Sequence, residues 1–272
     1  MVSNFYSPKK YFTATFVLTT FFWSIGAYYS FRPDSGFYMA FMLIGLTMPF
    51  VVALAMLIGK NSRSELRNFL NKLFNIKLIR LKMIPAMLFL IPFSVVVSIF
   101  ISTFFGGSFN QFQLSEHFSF STGFVPVLLL LMLAAVFEEL GWRGYAFESL
   151  AERYSMFSSS IIFSILWSAW HLPLIFVNNS YQYELLNENI WYCINFFWSI
   201  VPLGVIVSWF CLRNNKSIIS AVIFHFVINI SQEALEITQV TKSIQSFVLL
   251  IMAIIIIYAD RELFFNKAVN NA

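Results

Sequence analysis

The chain has 272 residues, of which 59% are hydrophobic and only 11% charged, with a formal net charge of +4. A soluble domain is roughly 45–50% apolar and about 25% charged, so a water-soluble globular fold is excluded. The basic residues flank apolar runs and form no single basic face, which argues against nucleic-acid binding.

The pattern predicts an all-α, polytopic integral membrane protein organised as a single membrane domain, residues 1–272. A spanning helix needs about 20 mostly apolar residues. Eight stretches qualify, near 12–30, 37–58, 84–105, 124–146, 157–177, 190–212, 217–233 and 244–260. The first lacks a small-x-small cleavage site and reads as a retained helix, not a removed signal peptide. Between the second and third, Lys60 to Lys82 carries seven basic residues against one acid, Glu65. Leu66, Phe69, Leu70, Leu73, Phe74, Ile76 and Leu78 alternate there with basic residues at near-helical spacing, which predicts an amphipathic helix in the membrane interface. A plain positive-inside anchor is the simpler role for it; gathering a lipid-linked substrate is the other.

With eight spans, fifteen of the seventeen Lys and Arg fall on the side of the two termini, leaving Arg32 and Lys242 opposite. The positive-inside rule then makes both ends cytoplasmic. Loops 106–122 and 178–189 contain no Lys or Arg and read as plain external connections. Cys193 and Cys211 share one predicted helix about 27 Å apart along its axis, too far for a disulfide, and read as small core residues.

Ionisable groups inside the spans are scarce, and each is a functional candidate because burying charge in lipid is costly. Glu138 and Glu139 close the apolar run of the fourth span, followed by Arg143. Glu139 and Arg143 are i,i+4 and can pair, while Glu138 points about 100° away. Alone, this string is explained equally by an Arg-clamped helix end. His171 ends W-S-A-W-H in the fifth span, one turn beyond Trp167, with Pro173 disturbing the helix after it. A lone buried histidine is commonly a hydrogen-bonded core residue. His225 and Asn229 are i,i+4 on the seventh span, a spacing that also serves simply to glue helices. Three spans each bringing a catalytic-type group to middle depth predict one polar cavity within the membrane. Hydrolysis needs an activated water and donors for an oxyanion, and these residue types supply both.

The strings E-E-x-x-x-R at Glu138, Glu139 and Arg143, aromatic-x-x-x-H at Trp167 to His171, and H-x-x-x-N at His225 to Asn229 resemble the CAAX prenyl endopeptidases. More broadly they resemble the type II CAAX protease and bacteriocin-processing (CPBP, or Abi) family. The motifs cover about residues 125–235, and Trp167 stands where the family usually has Phe. The resemblance implies an intramembrane endopeptidase that removes the last three residues of a prenylated C-a-a-X protein or peptide. It implies Glu138 as general base, His171 sharing its water, His225 and Asn229 on the oxyanion, and Glu139 and Arg143 holding the geometry. Three other readings compete. Zinc on Glu138, His171 and His225 would make a metalloprotease, but each histidine stands on its own span and no H-E-x-x-H string exists, so metal-independent chemistry is favoured. A non-catalytic bacteriocin-immunity or scaffold protein would tolerate loss of Glu138. A proton-relay transporter would call for repeated halves, which the chain lacks. The expected partners are the prenylated substrate and membrane lipid, with no nucleic acid and no obligate protein partner. Usage rich in Phe, Ile and Asn suggests a prokaryotic cell membrane, with the site open to the cytoplasmic side.

Overall fold

A computed structural model describes residues 5–32, 37–115 and 124–265, with the side chains of 124–126 left out. Parts of the loop expected at 106–122 and of the C-terminal end lie outside the described residues. The order is α1 (Pro8–Ser30), α2 (Phe37–Gly59), α3 (Arg63–Phe74), α4 (Ile84–Thr103), α5 (Phe124–Gly141), a π turn (Trp142–Ala146), α6 (Phe147–Ala151), α7 (Met156–Trp170), α8 (Tyr181–Glu188), α9 (Ile190–Arg213), α10 (Ile218–Glu233), α11 (Gln239–Ala259) and α12 (Arg261–Phe265). The fold is all-α, and the protein is a multi-pass integral membrane protein. Among the described residues, five segments can cross a membrane by length and composition: 37–59, 81–103, 156–176, 190–213 and 239–259. α10 is apolar but has only 16 residues.

Local chemistry sets the helix starts. Pro8 begins α1, where its missing N–H costs nothing. Ser155, Ser217 and Thr238 cap α7, α10 and α11 by accepting the N–H of Ser158, Ser220 and Thr241 at 3.2, 3.3 and 3.2 Å. Within α2, Pro49 has no N–H to give Gly45, and Thr19 of α1 donates to that carbonyl at 3.3 Å instead. In lipid such a freed carbonyl must find a protein donor.

α5 packs tightly on α2. A Cβ on Gly141 would lie 2.3 Å from the Pro49 carbonyl carbon, so only glycine allows this approach. One turn on, a Cβ on Gly144 would meet the Phe69 ring at 2.4 Å, which is how α3 docks on the π turn. The π turn packs one extra residue into the helix and re-aims α6 beyond it.

Three sequence expectations change in detail. The amphipathic helix covers only Arg63–Phe74; Ile76–Leu78 and Leu81–Met83 are single 3-10 turns. The fifth span is not one helix, since α7 stops at Trp170 and a 3-10 turn spans Leu172–Phe176, because the residue before a proline disfavours the α conformation. Loop 178–189 is not a plain connection: it holds α8, capped by Ser180 through the Tyr183 N–H at 3.1 Å. Cys193 and Cys211 are buried free thiols.

The basic end of the bundle is stapled by ion pairs. Glu148 meets Lys72 of α3 at 3.4 Å and Lys216 at 3.0 Å. Tyr6 donates to Glu65 at 3.3 Å, Arg80 N–H donates to Asn214 Oδ1 at 2.8 Å, and Arg213 pairs with Asp260. Both ends of the described chain therefore lie with the basic segment. Burial pushes the Glu148 carboxyl up, but the two ammonium groups outweigh it and hold the group below the usual carboxylate range. A depressed pKa stabilises docking above the unfolded value, roughly 4.5, and the effect is lost as pH falls through the folded value. The protection of the α3 amides, taken relative to their intrinsic exchange rates, is therefore expected to fall as the pH drops through the depressed Glu148 value, and to be low already at pH 7 in Glu148→Gln; equal protection in that variant at pH 7 would show that Phe69 alone docks α3.

Candidate active site

Six helices, α5 and α7 to α11, line a cavity of ≈ 310 Å³. Glu138, His171, His225 and Asn229 all line it, together with Trp167. The motif residues, up to 91 positions apart in sequence, thus reach one space. That volume is at the lower end of small-molecule sites, about 300–1,000 Å³.

The two adjacent glutamates face different neighbours. Glu138 Oε2 accepts the Trp167 indole N–H at 2.7 Å and the Trp142 indole N–H at 3.3 Å. Both bonds go to one oxygen, so neither indole holds the other. Glu139 lies in the protein interior and does not line the cavity. Its Oε1 accepts from Arg143 Nη1 at 3.1 Å and faces His225 Nδ1 at 2.9 Å, and its Oε2 is 2.9 Å from the same guanidinium nitrogen. Both side chains of the Glu139–Arg143 pair are fully buried. Arg143 also donates to Ser208 at 3.4 Å and stacks over the Phe163 ring at 4.3 Å. The i,i+4 pair is as its spacing predicts. The His225–Glu139 contact has no local sequence signal.

The two histidines are oriented by their Nδ1 atoms. His171 Nδ1 lies 2.8 Å from the Trp167 carbonyl. A carbonyl only accepts, so this nitrogen carries the proton, and Nε2 of the neutral ring is an acceptor. His225 Nδ1 is engaged by Glu139, which leaves its Nε2 as the remaining polar atom of the ring. Trp167 stands between the rings, 6.1 Å from His171 and 5.3 Å from His225 by centroid. His171 itself is the C-cap of α7 and not a mid-helix residue. Asn229 spends one amide N–H on the Leu131 carbonyl of α5 at 3.1 Å; an amide carries two such donors and an acceptor oxygen.

Chemically the wall offers a carboxylate, an imidazole acceptor and an amide donor. Among the described residues no three His, Cys, Asp or Glu side chains are grouped to hold a metal ion, and Glu138, His171 and His225 do not form such a set.

Sequence reasoning missed Trp142 and the far wall of the cavity. Tyr181 and Gln182 of α8, Asn195 of α9, and Gln239 and Lys242 of α11 line it. The periodic signal for these is amphipathic at best, and their convergence is tertiary. Behind Glu138, toward the basic end, Trp142, Arg143 and Tyr145 are buried. The lining contributed by α8 and by the first turn of α11 lies at the end opposite the basic segment.

A family model described as type II CAAX prenyl endopeptidase Rce1-like matches residues 120–231. CAAX prenyl protease 2 of Methanococcus maripaludis is 57% identical over 270 residues, covering 98% of this chain and 99% of its own. The match runs through all the motif residues and both flanks of the cavity. The chain belongs to the type II CAAX prenyl endopeptidase family and is an intramembrane protease.

Proposed function

We propose that the protein hydrolyses the peptide bond after a prenylated cysteine and releases the C-terminal -aaX tripeptide. The observation that carries this reading is the division of the glutamates: Glu138 lines the cavity while Glu139 is held by Arg143 and His225. In the proposed mechanism Glu138 takes a proton from a water that His171 Nε2 also accepts from. The water oxygen attacks the scissile carbonyl, and the resulting oxyanion is met by the Asn229 amide and His225 Nε2–H. With Nδ1 already donating to Glu139, that Nε2–H belongs to an imidazolium, whose charge is met by the forming oxyanion. The tetrahedral intermediate then collapses with protonation of the leaving amine by Glu138. Such donors act on charge that develops only in the transition state, each being worth about 10²–10³ in kcat. The mechanism needs no metal. The prenyl chain stays in lipid or against the apolar rim.

Trp167 adds something that the family's usual Phe cannot: an N–H aimed at the catalytic carboxylate. Hydrogen bonds to a charged group contribute about 1.5–3 kcal/mol, and here Trp142 remains as a second donor.

We propose that the cavity opens at the end lined by α8 and the first turn of α11, and that this mouth faces the cytoplasm, where proteins are made. The basic end then faces outward, against the charge count. A single-cysteine scan decides this. A thiol at Lys242→Cys is expected to react with an impermeant reagent only in inside-out vesicles; reaction in intact cells would restore the charge-based orientation and require substrates delivered to the outer face.

In detergent, the purified protein is expected to release a tripeptide from a farnesylated C-a-a-X peptide, and Glu138→Ala to lose at least about 10³-fold in kcat. Equal release by Glu138→Ala would remove that residue from the chemistry. Exhaustive chelation is expected to leave the rate intact, and loss restored by added zinc would overturn the metal-free mechanism. Trp167→Phe is expected to lower kcat about tenfold with KM nearly unchanged; an unaltered kcat would make the indole N–H a structural ornament.

A further inference from the structure

The cavity wall carries a cation that the hydrolytic machinery does not use. Among the described residues, Lys242 is the single Lys or Arg lining the cavity. It sits in the first turn of α11, whose N-terminus is also the positive end of a 21-residue helix dipole. No carboxylate pairs with it among the described residues. Its ammonium donates instead to Tyr181 Oη at 3.1 Å and lies 4.7 Å from the centre of that ring. Tyr181 Oη in turn donates to Gln239 Oε1 at 3.1 Å, which fixes the phenol. An ammonium has three donors, and Tyr181 takes one. Glu233, the other carboxylate beside the cavity, is exposed at the rim.

The spacing suits a particular ligand. The His171 ring touches Phe196 at 5.8 Å between centroids, Phe196 touches Tyr181 at 5.8 Å, and Tyr181 carries Lys242. Two ring contacts and one hydrogen bond in series thus join the hydrolytic centre to the ammonium. An extended tripeptide spans about 10 Å, and a lysine stem can swing to meet its end. The polar lining around Lys242, Gln182, Asn195 and Gln239, would suit the backbone of such a peptide.

We propose that Lys242 is a carboxylate-binding residue: it recognises the free C-terminal carboxylate of the leaving tripeptide and so sets the cut three residues from the end. This rests on the protein being a CAAX hydrolase but concerns recognition, so it is tested by binding. The protein used is full-length Glu138→Gln in detergent, which holds the peptide uncut. The probes are a dansylated, farnesylated C-a-a-X tetrapeptide with a free C-terminal acid and the same peptide as its C-terminal amide, read by energy transfer from tryptophan.

The acid is expected to bind at least tenfold more tightly than the amide. Adding Lys242→Met should bring the ratio to about one by weakening the acid alone, and Lys242→Arg should keep the preference. Unchanged amide binding in Lys242→Met shows that the fold is intact. An acid-to-amide ratio of one before mutation, a ratio that survives Lys242→Met, equal loss of both peptides, or no binding of either would each overturn the proposal. Hydrolysis by the wild-type protein is scored separately, and its failure would count against the protease mechanism and not against carboxylate recognition.

Discussion

Arg143, withdrawn completely from water, needs a counter-charge, and Glu139 one turn earlier provides it at 2.9 Å. Charges buried this way cost several kcal/mol each in desolvation, and their attraction roughly offsets that cost without adding much stability. Losing one partner is a different matter, because it strands the other; that costs about 3–5 kcal/mol. The pair therefore acts as a constraint. Its guanidinium rests on Phe163 of α7 and reaches Ser208 of α9, and its carboxylate orients His225 of α10. One ion pair on the continuation of α5 thus fixes three other helices around the cavity and leaves Glu138 to face it.

Much of this is legible in the chain because it is local. Helix positions follow from apolar run length, the Glu139–Arg143 pair from i,i+4 spacing, and the shared face of His225 and Asn229 from the same rule. What escapes is tertiary. The His225–Glu139 bond joins residues 86 apart, and no periodicity announces it. The π turn at Trp142–Ala146 looks like ordinary helix in sequence; its glycine, Gly144, admits Phe69, which only a packed α3 reveals. α8 reads as a loop because its eight residues mix polar and apolar side chains and are too few to span a bilayer.

The shape of the cavity bears on how water and a peptide reach a bond inside a membrane. Its inner end is closed by Trp142, Arg143 and Tyr145, and its outer walls carry amide and hydroxyl groups from α8, α9 and α11. Polar groups at that depth are tolerable because they line a cavity and do not face lipid. Carboxylate recognition by Lys242 would make the mouth selective for chain ends.

The central claim is that adjacent glutamates divide their work, Glu139 holding the structure and Glu138 serving the chemistry. Melting of purified Glu138→Gln and Glu139→Gln in detergent tests it most directly. The account predicts that Glu139→Gln melts roughly 5–10 °C below wild type, while Glu138→Gln melts with wild type or above it. The reverse order, or equal losses in both, would contradict it.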